Sequence, residues 1–312
     1  MTEKIAICIP CYNEAPTITS VVESFRSELP EAEIWVIDNN STDGTGAVAE
    51  KAGARVILEN RQGKGNAIKA AFRQIEADIY VLADGDNQCP AEAVHDLIKP
   101  ILFDNADLVV GDRLTGGGYD RENKRAFHSF GNRLVLSLIN GLYGVRLTDI
   151  LSGYRACNRL FAKGYPILSK GYEIETEMSI HAVANGFRLQ QVPFNVRDRP
   201  EIAGQSKVST FSDGLLVLSS VALLFMDLKP LRFFSAISFL LLIAGIAVGI
   251  PVIRQSLLVN EVSLYGSALL AVGFVVLAML FFISGLILHI MRRKEQKNYE
   301  LFLSLISNRL GR

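Results

Sequence analysis

The stretch VLADGDNQCP, residues 81–90, ends an apolar run with two carboxylates, Asp84 and Asp86, separated by Gly85 and followed by Gln88. Two acidic side chains at this spacing on a tight turn can face one divalent cation, and Gln88 can add a neutral oxygen. Hard oxygen donors of this kind suit Mg2+ or Mn2+, ions that keep some of their waters and bridge substrate phosphates. A solvated acidic turn is the plain alternative for a lone D-x-D. Three other polar clusters end apolar runs in the same half of the chain, and they favour a ligand site. Asn13 and Glu14 follow Pro10 and Tyr12 in PCYNE; Asp38, Ser41 and Asp43 fall in DNNSTDGT; Lys64 and Gly65 fall in NRQGKGNA.

A second group of candidates carries positive charge. Arg113 follows the apolar run ADLVVGD, and Arg125 and Ser129 stand four apart in RAFHS, one face of a helix. Asp149 and Arg155 lie in TDILSGYRACNR, where structural and catalytic roles stand level. Glu173 and Glu175 in YEIETEM share a face if extended and diverge if helical. Arg197, Arg199 and Lys207 occupy the polar segment VRDRPEIAGQSKVS, which reads either as a lid over a bound donor or as a basic contact with anionic headgroups. Cys8 and Cys11 form a lone C-x-x-C with no second pair to complete a metal site, so they read as small apolar residues at a strand end.

The elements that must hold these residues alternate. Apolar runs at 4–10, 33–38, 54–59, 78–84 and 106–112 read as strands, with helices opening near Pro16 and covering 43–53, 63–77 and 91–102. That alternation predicts an α/β fold with a mainly parallel sheet and helices on both faces. Ligands of such sheets bind beyond the carboxyl ends of the strands, where each polar cluster falls. No G-x-G-x-x-G follows the first strand and no G-x-x-x-x-G-K-[ST] occurs, which argues against a dinucleotide site and a P-loop. Lys plus Arg and Asp plus Glu are equal at 32 each, so no net basic field points to nucleic acid.

The C-terminal part differs. Residues 233–253 carry no charge, and 264–290 form a second apolar run with only His289 near its end; each is long enough to span a bilayer. Lys229 and Arg232 before the first run and Arg292, Arg293 and Lys294 after the second place both ends of this hairpin, and residues 1–230, on the cytoplasmic side. The expectation is a multi-pass protein of the inner (plasma) membrane: a catalytic domain over 1–208, an interfacial amphipathic helix over 209–230, a transmembrane hairpin over 231–291 and a cytoplasmic tail over 292–312. Glycines and serines in the hairpin permit close helix contact, and so a homo-oligomer.

Taken in order, PxYNE, DNxSxDGT, GKGxA and DxDxQxxP resemble the family-2 glycosyltransferases, which have a Rossmann-like GT-A fold. The set is similar in particular to polyprenyl-phosphate glycosyltransferases, among them dolichol-phosphate mannose synthases and bacterial undecaprenyl-phosphate sugar transferases. The likeness covers about residues 5 to 210, and the hairpin matches the bacterial members. It implies that Pro10, Tyr12, Asn13 and Glu14 line the nucleotide pocket, that Asp38 contacts the base, and that Ser41 and Asp43 support it. Lys64, Gly65 and Gly85 would help hold the nucleotide sugar. Asp84 would meet the ribose or the metal, with Asp86 and Gln88 on the metal. Arg113, Arg125 and Ser129 would bind the acceptor phosphate, joined by Arg197, Arg199 and Lys207, and Asp149 would position the acceptor or a helix; Asp86, Asp149, Arg113 and Arg125 form the implied catalytic set. Members often read DD where this chain has Asp38-Asn39, and DAD where it has Asp84-Gly85-Asp86, which leaves the base and donor open.

The implied reaction is an inverting, metal-dependent transfer of a sugar from a nucleotide sugar, UDP-linked by analogy, to a polyprenyl phosphate. A phosphate acceptor is already an anion, so no histidine base is needed. The alternatives are a GDP-mannose-dependent synthase, transfer to diacylglycerol, and an inactive membrane module that binds nucleotide sugar.

Overall fold

A computed structural model describes residues 3–113, 136–137, 139–141, 143–197, 225–226, 229–259 and 264–310. Arg125, Ser129, Arg199 and Lys207 lie outside the described residues, as does nearly all of the expected interfacial helix. The chain divides into two compact units, Met1–Gly214 with Phe302–Arg312, and Leu215–Leu301.

The first unit is built on a sheet that is buried on both faces. Strand β1 (Ile5–Cys11) sends Ile7, Ile9 and Cys11 into one core and Ala6 and Cys8 into the other. Strand β4 (Ile79–Leu82) does the same with Ile79 and Val81 against Tyr80 and Leu82. This is the two-residue period of a pleated strand, and it explains why these strands read as unbroken apolar runs. It also separates Cys8 from Cys11: three residues apart on a strand, they face opposite sides. All four cysteines are buried free thiols.

The sheet order is β3-β2-β1-β4-β6-β5-β7. Strands β1, β2 (Glu33–Asp38), β3 (Arg55–Leu58) and β4 are parallel. Strand β6 (Arg155–Asn158) inserts antiparallel between β4 and β5 (Leu108–Asp112), and β7 (Leu189–Pro193) adds parallel to β5 at the edge. The sequence does not announce β6 or β7. One is four residues long and begins with an arginine; the other reads LQQVP and is only half-buried.

Helices α1 (Ala15–Glu28), α2 (Thr45–Lys51) and α4 (Val94–Phe103) cover one face, and α3 (Lys64–Gln74), α5 (Arg159–Gly164) and α6 (Ile174–Ala184) the other. Helix α1 shows why: Ile18, Val21, Val22 and Phe25 recur at helical spacing and are buried, and Pro16 suits the first turn, where no N–H partner is needed.

The second unit holds α7 (Pro230–Val259) and most of α8 (Tyr265–Leu310), two helices long and apolar enough to cross a membrane. Only 6% and 17% of their most apolar stretches are buried, which sets them apart from the core helices of a soluble domain. They pack as a hairpin: Ser238 Oγ donates to the Ala278 carbonyl at 2.8 Å, and a Cβ on Gly285 would lie 2.7 Å from Phe234 Cβ. Helix α8 runs on through Arg292–Lys294 without a break. No glycine or proline stands between Gly285 and Gly311.

Candidate active site

The site is assembled at the carboxyl ends of β1 to β4. Register sets Cys11 opposite Asp38, and Asp38 opposite Leu58, so three strands release the chain at one level. Asn13 turns the chain with φ 54°, a region asparagine tolerates. Its N–H donates to Ser41 Oγ at 3.0 Å, and its Oδ1 accepts from the Thr42 N–H at 2.8 Å. Asp43 Oδ1 accepts from the Thr45 N–H at 3.0 Å and the Thr45 hydroxyl at 2.5 Å, while Oδ2 accepts from the Ala15 N–H at 3.0 Å. One carboxylate thus serves the first turns of both α1 and α2, where free N–H groups and the helix dipole favour a negative charge. Burial acts to raise the Asp43 pKa, but these hydrogen bonds outweigh it and hold the carboxyl below its ordinary value. Asn13 thus ties to Ser41 and the Thr42 backbone, and Asp43 to Thr45 and the Ala15 backbone, so these residues frame the turns after β1 and β2. Asp38 Oδ1 accepts from the Ser41 N–H at 2.9 Å. Its Oδ2 lies 2.8 Å from where a Cβ on Gly46 would be, so only glycine fits there. Pro10 lies opposite Ile37, one residue before the end of the β1 ladder, Tyr12 is exposed and Glu14 is half-buried.

Lys64, the first residue of α3, carries the buried positive charge. Its Nζ donates to Asp84 Oδ1 at 2.5 Å and to Glu175 Oε1 at 2.7 Å. Burial alone would lower a lysine pKa; two carboxylates reverse that and raise it. The Tyr172 ring centroid lies 5.9 Å from the same Nζ. Glu175 sits in the first turn of α6, and Glu173 turns elsewhere to accept from the Lys170 and Gly171 N–H groups. YEIETEM is therefore helical from Ile174, and its three acids have different work: Glu175 pairs with Lys64, Glu173 accepts from the Lys170 and Gly171 N–H groups, and Glu177 accepts from the Leu168 and Ser169 N–H groups. Gly65 serves packing: its N–H donates to the Lys170 carbonyl at 3.0 Å, and a Cβ would lie 2.2 Å from the Ser169 carbonyl oxygen. Gly153 gives the ion pair its room, since a Cβ there would lie 2.4 Å from Asp84 Oδ2 and 2.8 Å from Lys64 Nζ. Neither Gly153 nor the pairing of Glu175 with Lys64 is visible in the sequence, because their partners are about 70 and 111 residues away.

The acidic turn follows β4. Gly85 packs on β1, where a Cβ would lie 2.6 Å from Cys11 Sγ, and its carbonyl accepts from Thr17 Oγ1 at 2.6 Å. Asn87 takes φ 66° to close the turn, and Asp86 Oδ1 accepts from the Gln88 N–H at 3.2 Å. The Cys11 thiol reports the local field: its pKa is pushed well up, first by burial and then by Glu14, Asp84, Asp38 and Asp86. Four carboxylates thus act on the head of β1, and Lys64 pairs with one of them, Asp84, as well as with Glu175. Among the described residues no three His, Cys, Asp or Glu side chains converge on one point as a closed metal cage. The carboxylates of Asp84 and Asp86 with the amide oxygen of Gln88 have the donor chemistry that suits a hard divalent ion taking its remaining ligands from substrate phosphates and water.

Arg113 and Asp149 meet on the far side of β6. Arg113 Nε donates to Asp149 Oδ2 at 2.7 Å and Nη2 to Oδ1 at 3.0 Å, a two-pronged pair on a carboxylate that is 1% exposed. The Leu151 N–H adds a bond to Oδ1 at 2.9 Å, and Gln191 Nε2 donates to the Asp149 carbonyl at 2.7 Å. Arg155 is fully buried and donates to the Ser152 and Ile150 carbonyls and to Ser179 Oγ. Burial lowers its pKa to about 10 against the opposing pull of Glu175 and Asp149. It is a strut between the 150–152 turn and α6. The Arg197 N–H donates to the Gln88 carbonyl at 3.1 Å and its Nη2 to Glu92 at 2.6 Å, which brings this residue to the acidic turn.

A mostly parallel sheet with one antiparallel insert, carrying a D-x-D turn after β4, defines a glycosyltransferase of the GT-A type. The chain belongs to glycosyl transferase family 2, whose sequence pattern matches residues 6–164. It is 32% identical over 253 residues to glycosyltransferase AglJ of Haloferax volcanii, covering 79% of this chain and 81% of that one. It is 30% identical to the undecaprenyl-phosphate mannosyltransferase of Micrococcus luteus, covering 66% and 88%. Among solved structures, glucosyl-3-phosphoglycerate synthase from Mycobacterium tuberculosis with Mn2+, UDP-glucose and phosphoglyceric acid superposes with a TM-score of 0.57 at 25% identity, covering 72% and 79%.

Proposed function

We propose that this glycosyltransferase moves a hexose from a nucleotide sugar to a polyprenyl phosphate at a membrane surface, by a single inverting displacement. The acidic bowl around Cys11, with Lys64 at its base, carries the proposal. A nucleoside diphosphate is itself an anion, and four carboxylates would repel it unless a divalent cation stood between them. Asp86 and Gln88, with Asp84, would hold that ion, which when bound supplies charge stabilisation for the departing diphosphate. Asp38, at the end of β2, would accept an N–H of the base, and Tyr12 and Glu14 would line the same rim. Lys64 keeps Asp84 in place and brings positive charge toward the donor phosphates. Arg113, locked on Asp149, sets the end of β5 from which the acceptor side of the site continues; Arg125, Ser129, Arg197, Arg199 and Lys207 are proposed to bind the acceptor phosphate and align it with the anomeric carbon.

The relatives support the acceptor: the undecaprenyl-phosphate mannosyltransferase and a dolichyl-phosphate hexose transferase of Haloferax volcanii are named for lipid phosphates. The structural neighbour binds UDP-glucose with Mn2+, which supports a UDP-sugar and a divalent ion. Helices α7 and α8 would hold the enzyme beside its lipid, as a multi-pass protein with the catalytic domain and both termini cytoplasmic.

The test is a product assay. Purified full-length protein in detergent receives undecaprenyl phosphate, Mg2+ or Mn2+, and UDP-glucose, UDP-hexosamines or GDP-mannose one at a time, and mass spectrometry follows the lipid. A lipid that gains one hexose with one donor, and none after chelation, is expected. A product with retained anomeric configuration would exclude the single displacement, and transfer to diacylglycerol alone would exclude the phosphate acceptor.

A further inference from the structure

Asn39 follows Asp38, is 5% exposed, and uses its whole carboxamide on one loop. Its Nδ2 donates to the Glu59 carbonyl at 3.0 Å and to the Arg61 carbonyl at 2.7 Å, while Oδ1 accepts from the Gly63 N–H at 2.6 Å. The partners fix the orientation of the amide, since two carbonyls must face its donors and an N–H its acceptor. The Asn39 N–H donates to the Cys11 carbonyl at 2.8 Å, so the side chain projects from the edge of the β1–β2 ladder. The loop it grips, 59–63, leads straight into Lys64. Gly63 stands at φ 126° against the Lys170 carbonyl, a position with no room for a Cβ.

We infer that Asn39 is the positioning residue that joins the base end of the donor site to Lys64: by pinning loop 59–63 at three points, it sets where α3 begins and thereby places Lys64 Nζ between Asp84 and Glu175. The inference rests on the donor site proposed above. The requirement is for an amide and not merely a polar group of the same shape. An aspartate is isosteric but accepts only when ionised, so it would set a negative charge against the Glu59 and Arg61 carbonyl oxygens. Protonated, it could restore one donor.

The test uses the full-length enzyme in detergent, with Asn39→Asp and Asn39→Ala. Two readouts need no donor. Amide hydrogen exchange over residues 59–66 reports the loop, and amine labelling read by mass spectrometry reports the access of Lys64. Both variants are expected to lose protection over 59–66 and to label Lys64 faster, while amides of β1 and β4 stay protected. In turnover, Asn39→Asp is expected to lose about tenfold or more in kcat/KM for the nucleotide sugar at pH 8. Its ratio to the parent enzyme then recovers as pH falls, whereas the ratio for Asn39→Ala stays flat. Unchanged protection over 59–66 in both variants overturns the pin. Lost loop protection with Lys64 labelling as in the parent overturns the link to Lys64. Failure of the proposed reaction shows separately, as absence of turnover in the parent enzyme, and leaves the two donor-free readouts to decide.

Discussion

Lys64 Nζ and Glu175 Oε1 lie 2.7 Å apart, both nearly buried, although 111 residues separate them. With Asp84 they form one cation between two anions at the base of the site. Removing the cation strands a buried carboxylate. Lys64→Met is therefore expected to destabilise the first unit by about 3–5 kcal/mol, and Lys64→Met with Glu175→Met to regain most of that. Thermal unfolding of the full chain in detergent measures both. Turnover stays low in the pair, because stability returns without the charge.

Gly153 is the space beside that ion pair. A Cβ would press 2.4 Å from Asp84 Oδ2, so Gly153→Ala must push Asp84 off Lys64. The expected result is a loss of about tenfold or more in kcat/KM, in line with misplacement of about an ångström at a catalytic site. Gly141, with nothing within 4 Å of its Cβ position and no positive φ, is the control for an added methyl alone.

Asp86→Ala tests the metal reading. Turnover is expected to fall by about two to three orders of magnitude, the scale on which groups that stabilise developing charge act. Thermal stability should hold, since Asp86 is partly exposed on a turn. If turnover survives in the variant and in chelator alike, the ion is not part of the reaction.

Arg113 and Asp149 predict a different pattern. Asp149 is buried and gripped at both oxygens, so Asp149→Asn, which keeps one acceptor but loses the charge and one prong of the fork, is expected to cost about 1–3 kcal/mol. Arg113→Lys should not substitute fully, because an ammonium is a point donor and cannot span both oxygens. A lysine variant as stable and active as the parent would show that the fork is not needed.

A pH effect follows from His181, packed with Phe161, Tyr165 and Phe187. Burial lowers its pKa from 6.5 to about 4, against a smaller opposing pull from Glu177. The unfolded chain takes up this proton first on acidification, so stability is lost as pH falls from about 6.5 toward 4. His181→Phe should flatten that part of the curve of unfolding temperature against pH.

The local pattern of the sequence was enough to place β1 to β5, α1 to α4 and the two long apolar helices, because each buries a face whose period is written in consecutive residues. It was also enough to put Asp38, Lys64, Asp84 and Asp86 at one end of a parallel sheet, since chain alternation dictates which end of each strand is shared. Tertiary structure decided what those residues do to one another. Asn13, Ser41 and Asp43 turn out to frame the turns after β1 and β2, Gly65 to admit a carbonyl, and Arg155 to brace a turn. Strand β6, too short and too polar for a pattern, slides in antiparallel and brings Gly153, Arg155 and Asp149 to the site. Pairings such as Lys64 with Glu175, or Asn39 with the 59–63 loop, depend on how distant segments meet in the fold, and no local period encodes that.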